Sequence, residues 1–165
     1  MIDSIDREIL SLVQDNARMA NAEIARRVGM APSAVLERIR KLEDRGIIRG
    51  YAAQLDPAAL GFGMLAFILV RTTTGCWQEG TGEQIAQCPQ VEEVHHVAGE
   101  DCFLVKVRVK DTQALGALLR DRFNGVSSVG ATRTTIVLES VKESSAVPVG
   151  RATDRATDVA SAGKS

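Results

Sequence analysis

Cysteine is scarce in this sequence, and the spacing of the few present is informative. Cys76, Cys88 and Cys102 are the three cysteines among 165 residues, and no two of them form a C-x-x-C pair. This spacing predicts neither a disulfide framework nor a zinc knuckle, and it fits a reducing cytosol. Nothing in the neighbouring sequence marks a lowered thiol pKa, so an oxidant-sensing role has little support at this level.

Long apolar runs are also missing. No stretch approaches the roughly 18 apolar residues that a membrane span needs, and the N-terminus has no basic-then-apolar signal pattern. We therefore expect a cytoplasmic protein without a membrane partner. The net charge of −1 shows no overall positive excess, so the distribution of charge matters more than its sum.

Motifs of the common enzyme classes are absent too. The sequence has no G-x-S-x-G, no Walker loop and no H-E-x-x-H, and G-F-G at 61–63 lacks the third glycine of a dinucleotide site. His95 and His96 are adjacent on a predicted strand and so point to opposite faces. Either one with Cys102 gives two ligands, where zinc usually takes three or four. We predict no catalytic residue, no cofactor and no metal.

What the sequence does contain is a pair of short helices joined by a tight turn within residues 21–40. Ala25 is small enough for two helices to approach closely, and Gly29 can adopt the left-handed conformation that ends the first helix. Val35 points into the angle between the helices, and Pro32 suits the first turn of the second. This pattern predicts a helix-turn-helix, which presents its second helix to the DNA major groove.

Capping residues and apolar spacing predict the limits of the N-terminal helices. Asp3 or Ser4 can cap a first helix that runs to about Asp15, and Asn21 can cap the second. The third helix is predicted to run from Pro32 to about residue 45, before the glycine at 46. Its buried stripe consists of Val35, Ile39 and Leu42.

Basic residues are concentrated on this third helix and directly after it. Residues 38–49 include five basic and two acidic side chains. Lys and Arg neutralise phosphates and release counterions, and the start of such a helix approaches base edges. The alternatives are a merely solvated helix face and, for Arg38, an ion pair with a carboxylate inside the domain. The candidate DNA contacts are Ser33, Ala34, Glu37, Arg38, Arg40, Lys41, Arg45 and Arg49.

The rest of the chain divides into segments that differ in composition and in the spacing of their apolar residues. Residues 47–54 resemble a strand pair or wing, with Arg49 and Gly50 at its turn. A proline and two glycines within 56–63 predict a hinge between a domain at 1–55 and a domain at 64–143. Residues 144–165 are small and polar without an aromatic side chain, which predicts a disordered tail.

The second domain alternates strand and helix signals in the order β-α-β-β-α-β. The continuous apolar run Leu65–Val70 suits a strand buried on both faces, and Phe103–Val109 alternates as a half-buried strand does. Asp111 can cap the second helix of this domain. The remaining elements are a helix over Trp77–Cys88, a strand over Val91–Val97 and a strand over Thr132–Val141. This order predicts a ferredoxin-like domain, and the whole chain an α+β protein.

Four stretches of the chain carry a family resemblance. They read I-D-R-E-I-L, A-P-S-A-V-L-E-R-I-R-K-L-E-D-R-G-I-I-R-G-Y, H-H-V-A-G-E-D-C-F-L-V-K-V-R-V and T-R-T-T-I-V-L-E, and they extend from about Ile5 to Val141. In these stretches the sequence resembles the Lrp/AsnC (feast/famine) family of prokaryotic transcription regulators. The resemblance implies a winged helix-turn-helix, a regulatory domain, and dimers that often assemble into octamers.

The resemblance also implies an effector site for an amino acid or related metabolite. In the family, this site uses the turn after the second strand of the regulatory domain, here Gly99, Glu100 and Asp101, and is bordered by the last strand, here Thr132 and Thr134. Backbone amides of the turn can bind a ligand carboxylate, while Glu100 or Asp101 can hold its ammonium group. The alternative is a plain hairpin turn, which these residue types also favour.

Two residues depart from the family pattern. Ala31 stands where many members have a serine before the proline of the third helix, and losing such a cap typically costs about 1 kcal/mol. Ser33 is then left to bond nearby amides or a phosphate. Cys102 replaces the second acidic residue of the effector turn, so a site with fewer carboxylates holds an ammonium group less tightly.

We therefore interpret the chain as a sequence-specific regulator of double-stranded DNA whose oligomer and DNA affinity respond to a small effector. One alternative is an architectural or partner-binding winged-helix protein without effector control. Another is an enzyme on a ferredoxin-like dimeric barrel, although the strands offer mostly aliphatic side chains to a barrel interior.

Overall fold

Three helices build the N-terminal part of the chain. In the computed structural model, which describes residues 2–73, 75–76 and 80–149, the first helix, α1, covers Ser4–Asp15. Asp3 caps it as predicted: its carboxylate accepts from the Asp6 amide at 2.7 Å, and the Asp6 carboxylate accepts from the Asp3 amide at 3.3 Å. This reciprocal capping box satisfies amides that have no partner within the helix.

The two helices of the predicted helix-turn-helix are present. They are α2, Asn21–Val28, and α3, Pro32–Asp44, and Gly29 ends α2 in the left-handed conformation with φ 69° and ψ 34°. The prediction that Asn21 caps α2 is wrong, because the helix begins at Asn21 and Ala20 occupies the cap without a side-chain hydrogen bond. Ala31 likewise precedes α3 without a side-chain cap, as its methyl group requires.

One apolar core joins these helices. The predicted stripe of α3 is buried throughout, and Ala25 on α2 is almost fully buried, which permits the close approach of the two helices. This core consists of Ile9, Ile24, Ala25, Val35, Ile39 and Leu42.

The predicted strand pair over 47–54 is wrong, because that segment contains no strand. After α3, the amides of Ile47 and Ile48 both donate to the Leu42 carbonyl oxygen, at 2.9 and 3.1 Å. This geometry closes the helix end rather than starting a ladder. Within the predicted hinge, the Phe62 amide donates to the Pro57 carbonyl oxygen at 2.8 Å and forms a turn.

The second part of the chain has the predicted β-α-β-β-α-β order. A π-helical segment, Leu119–Phe123, extends its second helix. The four strands among its described residues form one antiparallel sheet with the spatial order β2-β3-β1-β4, as in a ferredoxin-like fold. The elements are β1 Met64–Thr72, α4 Thr81–Ala86, β2 Val91–His96, β3 Phe103–Val109, α5 Thr112–Leu118 and β4 Val129–Ile136.

The helices cover one face of this sheet. Val105 and Val107 of β3 are fully buried there with Leu115 and Leu118 of α5. Burial of β1 on both faces is not observed, because Phe67 and Leu69 of β1 are only half-buried on the other, open face. Since alternate strand residues face opposite sides, the continuous apolar run covers a core face and a partly exposed apolar face.

The limits of the remaining elements agree with the sequence predictions in one case and differ in two. Asp111 caps α5 as predicted, its carboxylate accepting from the Ala114 amide at 2.8 Å. The helix expected over Trp77–Cys88 is shorter, because Gly80 precedes it in a left-handed conformation; Trp77 lies outside the described residues. The last strand begins three residues earlier than predicted and ends at Ile136, where its pairing with Ala66 of β1 ends.

The chain forms two compact units, one of residues 2–53 with 144–149 and one of residues 54–143. The described start of the predicted disordered tail is held to α1. There, Gln14 donates to the Val147 carbonyl oxygen and accepts from the Val147 amide, both at 2.9 Å. No described helix is long and apolar enough to cross a membrane.

Candidate DNA interface and effector turn

The outward face of α3 carries most of the candidate DNA contacts. Ser33, Glu37, Arg40 and Lys41 are exposed, whereas Ala34 is half-buried. Arg45 and Arg49 are exposed just after the helix. The third helix therefore presents the polar and basic side that its 100° spacing predicts, while its apolar stripe remains in the core.

Arg38 is directed towards α1 instead. Its Nη1 donates to Asp3 Oδ2 and to Asp6 Oδ1, both at 2.7 Å, and only 11% of the Asp6 side chain is exposed. These bonds raise the pKa of Arg38 above its usual value. The Asp6 amide, and then Arg38, hold the pKa of the Asp3 carboxyl below its usual value. The structure thus favours the alternative for Arg38, an ion pair inside the unit.

Replacing Arg38 with methionine keeps an unbranched side chain and removes both ion pairs. We expect the midpoint of thermal unfolding at pH 7 to fall by roughly 5 °C, because the buried Asp6 carboxylate is left without its cation. The folded-state pKa of Asp3 is depressed, so this stabilisation is present above the unfolded value of about 3.9 and is lost as the pH falls. The two proteins should therefore converge once the pH falls below the folded-state pKa of Asp3.

Arg26→Met is the matched control, because Arg26 pairs with Glu23 on an exposed surface where 77% of its side chain is accessible. Such a pair contributes little to stability. Equal melting midpoints for Arg38→Met and Arg26→Met would contradict the structural role of Arg38.

The remaining basic side chains differ in their partners. Lys41 Nζ lies 2.6 Å from Glu37 Oε1, an exposed pair in which about two thirds of each side chain is accessible. Within the described parts of the chain, no ion pair is seen for Arg40, Arg45 or Arg49, so their guanidinium groups are open to an external anion. Tyr51, which sequence reasoning missed, donates its hydroxyl to Glu43 at 2.8 Å and holds the following segment to α3.

The candidate effector turn lies between β2 and β3. Gly99 has φ +132°, a conformation that side-chain-bearing residues rarely adopt. The Cys102 amide donates to the Val70 carbonyl oxygen at 2.7 Å, and the Val97 amide donates to the Cys102 carbonyl oxygen at 3.0 Å. The turn is therefore held at its base by β1 and by the end of β2.

Both acidic residues of the turn pair with arginines. Glu100 Oε2 lies 3.0 Å from Arg71 Nη2, and Asp101 Oδ2 lies 2.9 Å from Arg133 Nη2. Asp101 is also 3.8 Å from Arg71. Sequence reasoning missed Arg71 and Arg133. The sequence features that could have indicated them are a basic residue near the end of β1 and a basic residue between two threonines of β4.

The predicted border of the effector site stays a prediction, but its two threonines do not face the acidic turn. Thr132 and Thr134 lie on β4, but each flanks Arg133, so alternation directs them to the face opposite that arginine. They pair across the sheet with Val70 and Ile68, whose side chains are buried in the core. The structure brings Arg133 rather than the threonines to the acidic turn.

The expectation that the cysteines form no disulfide is wrong. Cys76 and Cys102 are bonded to each other; they are 26 positions apart in the sequence, and their Cα atoms are 4.8 Å apart. The antiparallel sheet places the end of β1 beside the start of β3, so cysteines distant in sequence become neighbours. A motif such as C-x-x-C identifies only cysteine pairs that are close in sequence, so it does not predict this bond. Cys88 remains a free, buried thiol.

The histidines make local contacts. His95 Nε2 is 2.9 Å from Glu93 Oε2, and this contact is the largest influence lowering the pKa of Glu93. His96 stacks on Phe103 with ring centroids 5.1 Å apart. In the described part of the chain, no group of three or more His, Cys, Asp or Glu residues could hold a metal ion.

These features define a class. A helix-turn-helix with a basic outward helix, followed by a ferredoxin-like domain with a polar turn, is the architecture of a DNA-binding protein that carries a regulatory domain.

Comparison with known proteins identifies the family. Residues 2–49 match the family model for a winged helix-turn-helix DNA-binding domain, and residues 65–147 match the model for the Lrp/AsnC ligand binding domain. The chain is 36% identical over 148 residues to the HTH-type transcriptional regulator FL11 of Pyrococcus horikoshii, covering 90% of this chain and 97% of that protein. It is 37% identical over 145 residues to the leucine-responsive regulatory protein of Escherichia coli K12, covering 87% and 88%.

Solved structures agree. A transcriptional regulator of Neisseria meningitidis in complex with L-methionine superposes with a TM-score of 0.83 at 29% identity, covering 90% of this chain and 97% of that one. A feast or famine regulatory protein of M. tuberculosis complexed with L-methionine also gives 0.83, at 31% identity, covering 89% and 99%. The chain belongs to the Lrp/AsnC family of transcriptional regulators.

Proposed function

We propose that this regulator reads double-stranded DNA with α3 and responds to an amino acid bound at the turn 99–101. The single observation that carries the first part is the set of exposed arginines without an ion pair among the described residues, Arg40, Arg45 and Arg49. Lys41 joins them when phosphate displaces its exposed pair with Glu37. Ser33, Ala34 and Glu37 lie nearer the start of α3, where base edges are read.

The effector proposal uses the polar groups at the turn between β2 and β3. Gly99 removes a side chain from the approach to the backbone, and Glu100 and Asp101 supply carboxylates for an ammonium group. Arg71 and Arg133 balance these charges and can bind the ligand carboxylate instead. Complexes of the Neisseria meningitidis and M. tuberculosis proteins with L-methionine make an amino acid the first effector to test.

A homo-oligomer is part of the proposal. Phe67 and Leu69 of β1 are half-buried on the open face of the sheet, and Leu69 pairs in register with Leu104 of β3. An apolar sheet face of this kind is stabilised by covering it with a second copy. We propose a homodimer that assembles further into an octamer, is cytoplasmic, and acts by binding DNA rather than by catalysis.

The domain limits remain those proposed from the sequence. We propose a DNA-binding domain at 1–55, a hinge at 56–63, an effector and oligomerisation domain at 64–143, and a tail at 144–165. A dimer of such chains carries two recognition helices. It should therefore read a site with approximate twofold symmetry and half-sites about one helical turn apart.

Selection of bound fragments from random DNA tests this proposal. We expect full-length protein to enrich a twofold-symmetric site, and at least one of the twenty amino acids to change its affinity at fixed salt. Asp101→Asn should reduce that response while retaining DNA binding, because it removes a charge from the turn only. Enrichment of no preferred sequence would contradict specific recognition. Affinity that is unchanged by every amino acid would contradict the effector.

A further inference from the structure

The disulfide between Cys76 and Cys102 lies at the effector turn. Cys102 directly follows Asp101, and Cys76 lies in the connection between β1 and α4. Their exposure differs, because Cys102 is almost fully buried whereas Cys76 is half-buried. A small reagent from solvent can therefore reach Cys76, whereas Cys102 lies inside the fold.

The surroundings of Cys102 suit a thiol as well as a disulfide. Its backbone is fixed by hydrogen bonds to Val70 and Val97 that do not involve the sulfur. Thr72 Oγ1 lies 3.2 Å from Cys102 Sγ and donates to the Gly75 carbonyl oxygen at 2.8 Å. In the reduced state the Cys102 S–H can donate to that hydroxyl oxygen, so opening the disulfide leaves no buried polar group without a partner.

A disulfide at this position is unexpected in a protein proposed to be cytoplasmic. Disulfides are rare in a reducing cytosol, and those that occur there are usually transient or redox-sensing. Cys88, the remaining thiol, is buried in the core, which makes it a natural internal control.

We propose that Cys76 and Cys102 are a reversible redox modification site that takes a low-molecular-weight disulfide, such as oxidised glutathione, as its oxidant. The Cys76 thiolate attacks one sulfur of the oxidant and releases one thiolate, which leaves a mixed disulfide on Cys76. The Cys102 thiolate then attacks Cys76 Sγ and releases the second thiolate. Two protein thiols lose two protons and two electrons, and the oxidant becomes two thiols.

Closing this bond ties the connection after β1 to the base of the effector turn. Arg71, near the end of β1, already contacts both acidic residues of the turn, so the crosslink adds a second link between the same two segments. The redox state thereby controls how firmly the turn is held. This regulatory consequence depends on the effector function proposed above, whereas the redox chemistry does not.

The test equilibrates the full-length protein with oxidised or reduced glutathione and alkylates the free thiols for mass spectrometry. We expect one labelled cysteine, Cys88, in the oxidised sample and three in the reduced sample. Closing a loop of this length should raise the melting midpoint of the oxidised protein by roughly 10 °C. Deuterium uptake by the turn 98–101 should be slower in the oxidised protein.

Cys88→Ser is the matched control and should keep the difference in midpoint, whereas Cys76→Ser should abolish it. Three labelled thiols after oxidation would overturn the proposal, as would a disulfide that persists in millimolar reduced glutathione. If Cys76→Ser does not fold, the thiol count of the unaltered protein decides the question alone. The count uses neither DNA nor effector, so its failure is distinguishable from failure of the proposed function.

Discussion

Replacing Arg40 and Arg45 together with alanine is expected to weaken DNA binding by roughly 30-fold at 0.15 M salt. Each phosphate contact contributes about 0.9 to the slope of log affinity against log salt concentration, which amounts to about fivefold between 0.15 M and 1 M. Both side chains are exposed and lie on or just after α3. The salt slope of the double variant should therefore fall by about 2, measured by titrating a DNA fragment at several salt concentrations.

The control variant removes two positive charges from the other unit. Lys110 and Arg122 are both exposed there, so Lys110→Ala with Arg122→Ala changes the net charge equally. We expect this variant to bind DNA with an unchanged salt slope. An unchanged slope in the Arg40 and Arg45 variant would contradict phosphate contacts at α3, and an equal loss in both variants would indicate a general charge effect.

The second large effect is expected from Val35→Asp. Val35 is fully buried in the core of the helix-turn-helix, and an unpaired carboxylate there costs several kcal/mol by desolvation. We expect the N-terminal unit to unfold and DNA binding to be lost. The sheet unit has a separate core, so it should still unfold cooperatively on heating, as followed by circular dichroism.

Ser33→Asp places the same charge on the same helix at an exposed position. It should not lower the melting midpoint, because a carboxylate near a helix N-terminus is favourable. If Val35→Asp melted as the unaltered protein does, the placement of α3 in the core would be contradicted. If it unfolded the entire chain in one step, the independence of the two units would be contradicted.

The helix-turn-helix was predictable because its determinants are local. Gly29, Pro32 and the apolar stripe of α3 act within a few residues of one another, and the structure places all of them as expected. The order of elements in the second unit was predictable for the same reason, since strand alternation and the Asp111 cap are also local signals.

Features that depend on distant contacts were not predictable. The ion pairs of Arg71 and Arg133 with the acidic turn arise only when four strands are assembled. The limits of β4 follow from its pairing with β1, and the Cys76–Cys102 bond follows from the sheet order. The turn 99–101 was found through the family resemblance, but its arginine partners had no comparable signal.

The docking of Val147 on Gln14 has a consequence for synthesis in the cell. The two residues are 133 positions apart, so at typical translation rates Val147 leaves the ribosome roughly 7 to 27 s after Gln14. The helical core is already complete by Leu42 and can assemble long before then. In a nascent chain, the N-terminal helices should therefore be folded before the segment around Val147 is synthesised.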